Sequence, residues 1–339
     1  MTPDSARREL VDSIGRITRE VDDSRVLRKD VLERLGHSIA FDWYAWVLTD
    51  PVTSVGIDPL AEIPNPADIP IAVRLKYLTT TNRWTTLDSP AALGKNAADS
   101  RLWRGLQRNH GVVDVASVVL RDRYGCWGFL DLWSHEPFST EDLSTLKQLT
   151  PVLTEAVRRN RAASFRAESG IGTPGSGPVV LLLDDELTIL GQARGSDNWL
   201  QLLMPQSDGS RPVPACAFNV AAQLLAREAG VDGNEAMARM PLESGDWVTL
   251  RATRLEPDDR LAVTIERTTA ADRLELFGLT HGLSRREQSV VGALATGADT
   301  AEVAARLHLS IYTVQDHLKA IFAKTATHSR GALLARATG

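Results

Sequence analysis

Cysteine is nearly absent from this 339-residue sequence: Cys126 and Cys216 stand far apart, with no second Cys or His at metal-ligand spacing beside either. A disulfide framework or a thiolate metal centre needs more, so both are read as buried, reduced thiols. Long apolar runs are missing too. Val179 to Leu183 spans only five residues, whereas about 20 are needed to cross a bilayer. Met1 to Asp30 is too charged for a secretory leader, so a cytoplasmic chain with no membrane partner is expected. There is no internal repeat and no low-complexity tract. No Ser/His/Asp or Cys/His cluster is legible, and His37, His110, His135 and Cys126 assemble no haem, bilin or cyclic-nucleotide signature. Neither an enzymatic activity nor a cofactor is expected.

What is present is ordinary in bulk and uneven in detail. Apolar residues make up 43% and charged residues 24%, which suits a soluble globular chain of two or three domains. The net charge of -5 conceals an asymmetry: residues 280–339 carry +3 and the remainder -8. A basic tail on an acidic body is one footprint of a nucleic-acid module joined to something else.

Along the chain, Leu10, Ile14, Ile17 and Val21 mark one face of an opening helix, and Val26 to Leu35 continue the pattern after Asp22-Asp23-Ser24. The texture then turns aromatic and strand-like at Phe41 to Thr49 and again from Val115 to Trp133, where Asp122 to Gly125 reads as a hairpin turn. Ser139 with Asp142 forms a cap pattern for a helix striped by Leu143, Leu146, Leu149, Leu153 and Val157. Residues 167–177, rich in glycine and serine, read as a linker. A second α+β unit begins at Val179, with short helices at Asp197 to Leu203 and Val213 to Glu228 and strands near Trp247 to Leu255 and Arg260 to Arg267. Asp184-Asp185 are read as turn carboxylates, since a phosphoacceptor pocket needs a doubly wound βα pattern and a later Lys that the segment lacks.

At the C-terminal end three helix starts follow from caps alone: Ser284 with Glu287, Asp299 with Glu302, and Ser310 ahead of Thr313-Val314. Gly297 stands where a glycine ends the first of these helices. Val290, Val291, Leu294, Val303, Ala304, Leu307, Val314, Leu318, Ile321 and Phe322 supply one small core. Only His308 to Ser310 separate the second helix from the third, the tight connection of a helix-turn-helix whose second helix enters the major groove.

These residues carry a family resemblance. Leu283-Ser-Arg-Arg-Glu287, Leu294-Ala-Thr-Gly297, Glu302-Val-Ala-Ala-Arg-Leu307, Ser310-Ile-Tyr-Thr-Val314, His317, Ile321, Lys324 and Ser329-Arg330 resemble the LuxR-type DNA-binding domain over about residues 280–337. The departure is Lys324-Thr-Ala-Thr327, where that family usually shows Lys-Leu-Gly and an apolar residue. Tyr124-Gly-Cys-Trp-Gly-Phe-Leu130 and Pro137 to Asp142 resemble GAF sensory domains, and residues 178–270 have a PAS-like pattern. The expected architecture is multidomain: an α+β GAF-like sensory and dimerisation domain (1–166), the linker (167–177), an α+β PAS-like domain (178–272) and an all-α four-helix DNA-binding domain (280–339).

On the recognition helix, Ser310 and Thr313 can donate to phosphate at the positive helix end. Gln315, Asp316 and Lys319 lie opposite Val314, Leu318 and Ile321, so they are the candidates for base edges: Gln to adenine, Asp to cytosine N4, Lys to guanine. The resemblance places contacts at these same positions. His317 is read equally as a phosphate contact or a packed histidine. Lys324 and Arg330 are assigned to the phosphate backbone. The resemblance implies dimerisation through the last helix, at Leu333 and Leu334, with core packing as the alternative. Six tryptophans fall in the first domain, and Trp43, Trp84 and Trp103 are the candidates for an apolar pocket holding an unidentified small molecule. The function expected is a sequence-specific regulator of transcription, acting as a homodimer on double-stranded promoter DNA, with RNA polymerase as a further partner. The alternative is a sensor or scaffold whose helical tail docks on a protein.

Overall fold

The computed structural model of the chain describes residues 3–165, 177–194, 196, 199, 203, 215–242 and 244–339. Two helices open it, α1 (Pro3–Glu20) and α2 (Ser24–Gly36). The Asp23 carboxylate starts α2 by accepting from the Arg25 and Val26 backbone N–H groups at 2.9 and 2.8 Å. Leu10 and Ile14 of α1 and Leu27, Val31 and Leu35 of α2 are all buried.

The aromatic, strand-like stretches then form one five-stranded sheet. Its strands are β1 (Trp43–Thr49), β2 (Gly56–Glu62), β3 (Ala91–Ala92), β4 (Asp114–Asp122) and β5 (Gly125–Ser134), in the order β2-β1-β5-β4-β3. Trp46 faces Leu60 on one side and Leu130 on the other. The Asp122–Gly125 turn closes the β4/β5 hairpin as the sequence indicates, with Asp122 Oδ1 accepting from Tyr124 N at 2.8 Å and Trp127 Nε1 at 2.9 Å. From Cys126 to Ser134, β5 is buried on both faces, so its sequence reads as a near-continuous apolar run rather than an alternation. Helices α3 (Ile69–Tyr77) and α4 (Arg101–Gly105) lie between β2 and β4 in sequence. After β5 comes α5 (Thr140–Ala163), opened by the expected Ser139/Asp142 exchange of hydrogen bonds at 2.9 and 3.1 Å.

A second five-stranded sheet follows: β6 (Val179–Leu183), β7 (Ile189–Gln192), β8 (Met237–Pro241), β9 (Trp247–Leu255) and β10 (Arg260–Arg267), ordered β7-β6-β10-β9-β8. In both sheets the first strand pairs with the second and with the last. The same order thus recurs although the sequence shows no repeat, because strand order depends on pairing and burial rather than on residue identity. Asp184 and Asp185 sit in the β6/β7 turn, where Asp184 Oδ1 accepts from Thr188 N at 2.7 Å and Asp185 pairs with Arg254 at 2.7 Å. The expected linker, except Gly177, and the helix at Asp197 to Leu203, except Trp199 and Leu203, lie outside the described residues.

Helix α6 (Ala215–Glu228) is buried along nearly its whole length. At Gly56 a Cβ would meet Asn219 of α6 at 2.8 Å and Val47 at 2.7 Å, so glycine permits the close approach of α6 to β2. In the same chain, Arg239 clasps Asp50 through Nε at 2.8 Å and Nη2 at 3.1 Å, with both side chains buried. Such a pair is retained in an apolar setting because both charges are fully hydrogen-bonded.

Contacts divide the chain into two units. One comprises Met1–Val157, Pro174–Met240 and Thr249–Glu266; the other comprises Arg158–Thr173, Pro241–Val248 and Arg267–Gly339, so far as these are described. The second contains helices α7 (Ala270–Thr280), α8 (Arg285–Ala295), α9 (Thr300–Arg306), α10 (Ile311–Thr325) and α11 (Arg330–Thr338). No helix among the described residues is long and apolar enough to cross a membrane. The α+β, α+β, all-α sequence of domains is the one expected.

Candidate nucleic-acid interface and first-domain cavity

The three caps form as the sequence indicates. Ser284 and Glu287 exchange bonds at the start of α8, Asp299 and Glu302 do so at α9, and Ser310 Oγ accepts from Thr313 N at 3.1 Å at α10. Val290, Val291, Leu294, Val303, Val314, Leu318 and Ile321 close one core. Between α9 and α10, His308 takes a left-handed φ of 52°, which turns the chain within the four residues Leu307 to Ser310.

That packing fixes what α10 presents outward. Gln315, Asp316 and Lys319 are exposed opposite buried Val314, Leu318 and Ile321, and His317 is half-buried. Lys319 Nζ lies 3.3 Å from Asp316 Oδ1 in an open pair. Ser310 and Thr313 share a hydroxyl contact of 2.9 Å at the helix start. Arg330 holds Thr300 Oγ1, which brings its guanidinium to the first turn of α9. Lys324 has a partner within the domain: its ammonium lies 2.6 and 2.9 Å from the two carboxylate oxygens of buried Glu287. Burial alone would raise that carboxyl, but Lys324 and the Ser284 backbone N–H hold it below the usual range. Sequence reading passed over Ile311 and Tyr312, exposed by 47% and 80% in the first turn of α10. The signal was available, since neither belongs to the apolar stripe. Leu333 is in the core and Leu334 packs against it.

The unit also takes in aromatic residues from outside the sequence motif. Phe165 stacks on Trp247 at 4.5 Å and meets Phe277 edge-on at 5.4 Å. Its carbonyl accepts from Arg336 Nε at 3.0 Å. His281 lies 4.1 Å from the Phe277 ring, and burial, with Arg336 and Arg158 near, depresses its pKa to about 4.

In the other unit, the face of the first sheet carries a cavity of about 230 Å³. Phe129, Asp131 and Trp133 alternate along β5 and so share that face, and Val47, Ile63 and Ile69 complete much of the apolar lining. Lys76, from α3, places its ammonium 2.6 Å from Asp131 Oδ2, 5.3 Å from the Phe129 ring centre and 5.8 Å from that of Trp84. Ser117 Oγ donates to Asp131 Oδ1 at 2.7 Å. None of Trp43, Trp84 and Trp103 lines this cavity. Trp84 is buried, stacked on Phe129 and bonded to Ser54 O at 2.8 Å; Trp103 donates to Val112 O at 2.9 Å; Trp43 packs against a cluster around Leu93 and against His135. The sequence signal for the polar pair was Asp131 itself, a carboxylate inside Phe129-Leu-Asp-Leu-Trp133. Cys126 and Cys216 are free and buried, and burial pushes the Cys216 thiol up to about 12.

Comparison with known proteins agrees with this geometry where it is strongest. Residues 281–337 match the family model described as GerE, bacterial regulatory proteins, luxR family. The C-terminal domain is therefore a LuxR-family helix-turn-helix domain. Among curated proteins no relative was matched. Of solved structures, Escherichia coli SdiA is similar over 99% of this chain and 97% of its own, at 13% identity and a TM-score of 0.38. SdiA in complex with octanoyl-rac-glycerol is similar over 100% and 97%, at 14% identity and a TM-score of 0.32. The GAF domain of a sensor histidine kinase from Pseudomonas syringae pv. tomato covers 47% of this chain and 90% of its own, at 20% identity and a TM-score of 0.31.

Proposed function

We propose that this chain, with a LuxR-family domain at residues 281–337, is a sequence-specific regulator of transcription that reads double-stranded DNA through α10 and is controlled by a small molecule bound in its first domain. The observation that carries the DNA part is the exposure of Gln315, Asp316 and Lys319 on the helix that follows the short turn at Leu307 to Ser310. A major groove admits that helix, and these side chains have the donors and acceptors to discriminate base edges. Arg330 and the Ser310 end of α10 supply the phosphate contacts that fix orientation. The first-domain cavity supports the signal part, because an apolar chamber with a few convergent polar groups is what a small ligand needs. Control then requires binding alone, with no covalent step.

Two copies on a two-fold operator follow from the usual symmetry of such readers. The test is retardation of genomic duplexes by the full chain across a salt series, with the stoichiometry of the retained complex measured by light scattering. Expected are a subset of duplexes retained, affinity falling steeply with salt, and two chains per duplex. Uniform binding to all duplexes would refute sequence reading, and one chain per duplex would refute the dimer.

A further inference from the structure

The cavity of the first domain has an imbalance of polar groups that defines the chemistry of what fills it. Its charged lining residues are Arg25, Lys76 and Asp131, a net charge of +1. Both Asp131 oxygens already have donors, Ser117 Oγ at 2.7 Å and Lys76 Nζ at 2.6 Å. The Lys76 ammonium has three hydrogens, and among the described residues only Asp131 receives one. Around it stand ring faces, which attract the cation but accept no conventional hydrogen bond. Trp133 lines the same cavity through its apolar ring. Buried donors left without acceptors are costly, and each one in a native structure calls for an explanation.

We infer that the cavity takes a mainly apolar monocarboxylate, its carboxylate accepting from Lys76 Nζ and its hydrocarbon lying against Val47, Ile69 and Phe129. A single negative charge cancels the lining charge, and a carboxylate can accept the hydrogens that Lys76 does not give to Asp131. A phosphate dianion would exceed the available positive charge, and an amine would add a donor where donors are already in excess. The inference rests on the signal-binding part of the proposed function and narrows it to a ligand class.

The test uses three probes of one shape with different heads: 4-phenylbutyrate, 4-phenylbutan-1-ol and 4-phenylbutylamine. Binding to the full chain is followed without DNA by quenching of tryptophan fluorescence and by thermal unfolding. The acid is expected to bind roughly tenfold or more tighter than the alcohol, with the amine weakest. Asp131→Asn removes a like charge and is expected to tighten acid binding. Lys76→Met is expected to erase the preference for the acid. Should that variant unfold because Asp131 is left unpaired, Lys76→Met/Asp131→Asn gives the same readout in a neutral site. Equal binding of acid and alcohol, tighter binding of the amine, silence of all three probes at millimolar concentration, or weaker acid binding by Asp131→Asn would each overturn the inference. DNA retardation by the ligand-free chain is measured separately, so failure here leaves the DNA-binding reading standing.

Discussion

Lys319 and Lys324 lie on one helix five residues apart, yet their surroundings give them different work. The Lys319–Asp316 pair is exposed, and such a pair contributes little to stability because water and salt screen it. Lys319 is thus free to exchange its partner for a guanine edge. Lys319→Ala is expected to weaken binding to a cognate duplex by about 1 to 3 kcal/mol and to a scrambled duplex by less; equal losses in parallel titrations would remove it from base reading. Lys324 instead compensates buried Glu287, so Lys324→Ala is expected to lower unfolding stability by about 1 to 2 kcal/mol before any phosphate contact is counted. His281 adds a pH term. Its folded pKa, about 4, lies below the ordinary imidazole value of 6.5, so the unfolded chain takes up the proton first. Stability is therefore fully present above about pH 6.5 and is lost as pH falls toward 4, by about 1 to 3 kcal/mol. Denaturant melts across that range should show the slope, and His281→Phe should flatten it.

At the scale of elements, α10 shows how one departure from a family pattern is accommodated. Its C-cap, Ala326, has φ 50° and ψ 42°, a left-handed conformation that costs a residue with a Cβ about 1 to 2 kcal/mol. The flanking hydroxyls offset part of the strain, since buried Thr325 and Thr327 bond each other at 2.8 Å and Thr325 donates to Ile321 O at 2.8 Å. Ala326→Gly relieves the Cβ clash and gives back some chain entropy on unfolding. A net gain of about 0.5 to 1 kcal/mol is expected in thermal unfolding, and a loss would show that the hydroxyl network depends on alanine. The apolar stripes of α1 and α5 face inward. Leu10, Ile14, Leu146, Leu149, Leu153 and Val157 are buried within the chain, so α1 and α5 do not offer those faces to a second copy.

For the whole molecule, the DNA-binding unit is not the contiguous segment that its motif suggests. Phe165 and Trp247 belong to its core with Phe277 and Leu283, and deleting a buried aromatic costs about 3 to 5 kcal/mol. A fragment of residues 273–339 is accordingly expected to melt well below the corresponding transition of the full chain, by differential scanning calorimetry. Coincident melting would mean that the aromatic packing contributes nothing. The same fragment then has to be compared with the full chain at a temperature where both are folded before a ligand response is assigned to the first domain.

What the sequence determined by itself was local. Caps at Ser139, Ser284, Asp299 and Ser310 are set by hydrogen bonds within four residues, the Asp122 turn by its own side chain, and the outward face of α10 by helical periodicity, so each was legible from neighbours in the chain. Tertiary structure decided whatever joins distant residues. Lys324 meets Glu287 across 37 positions, Lys76 of α3 meets Asp131 of β5, and Phe165 finds Trp247. The tryptophans expected in a pocket went to the core or its edge, because an indole is apolar enough for either place and only packing selects between them. The repeated strand order was equally hidden, since pairing constrains which positions are buried and leaves open which apolar residue fills each one.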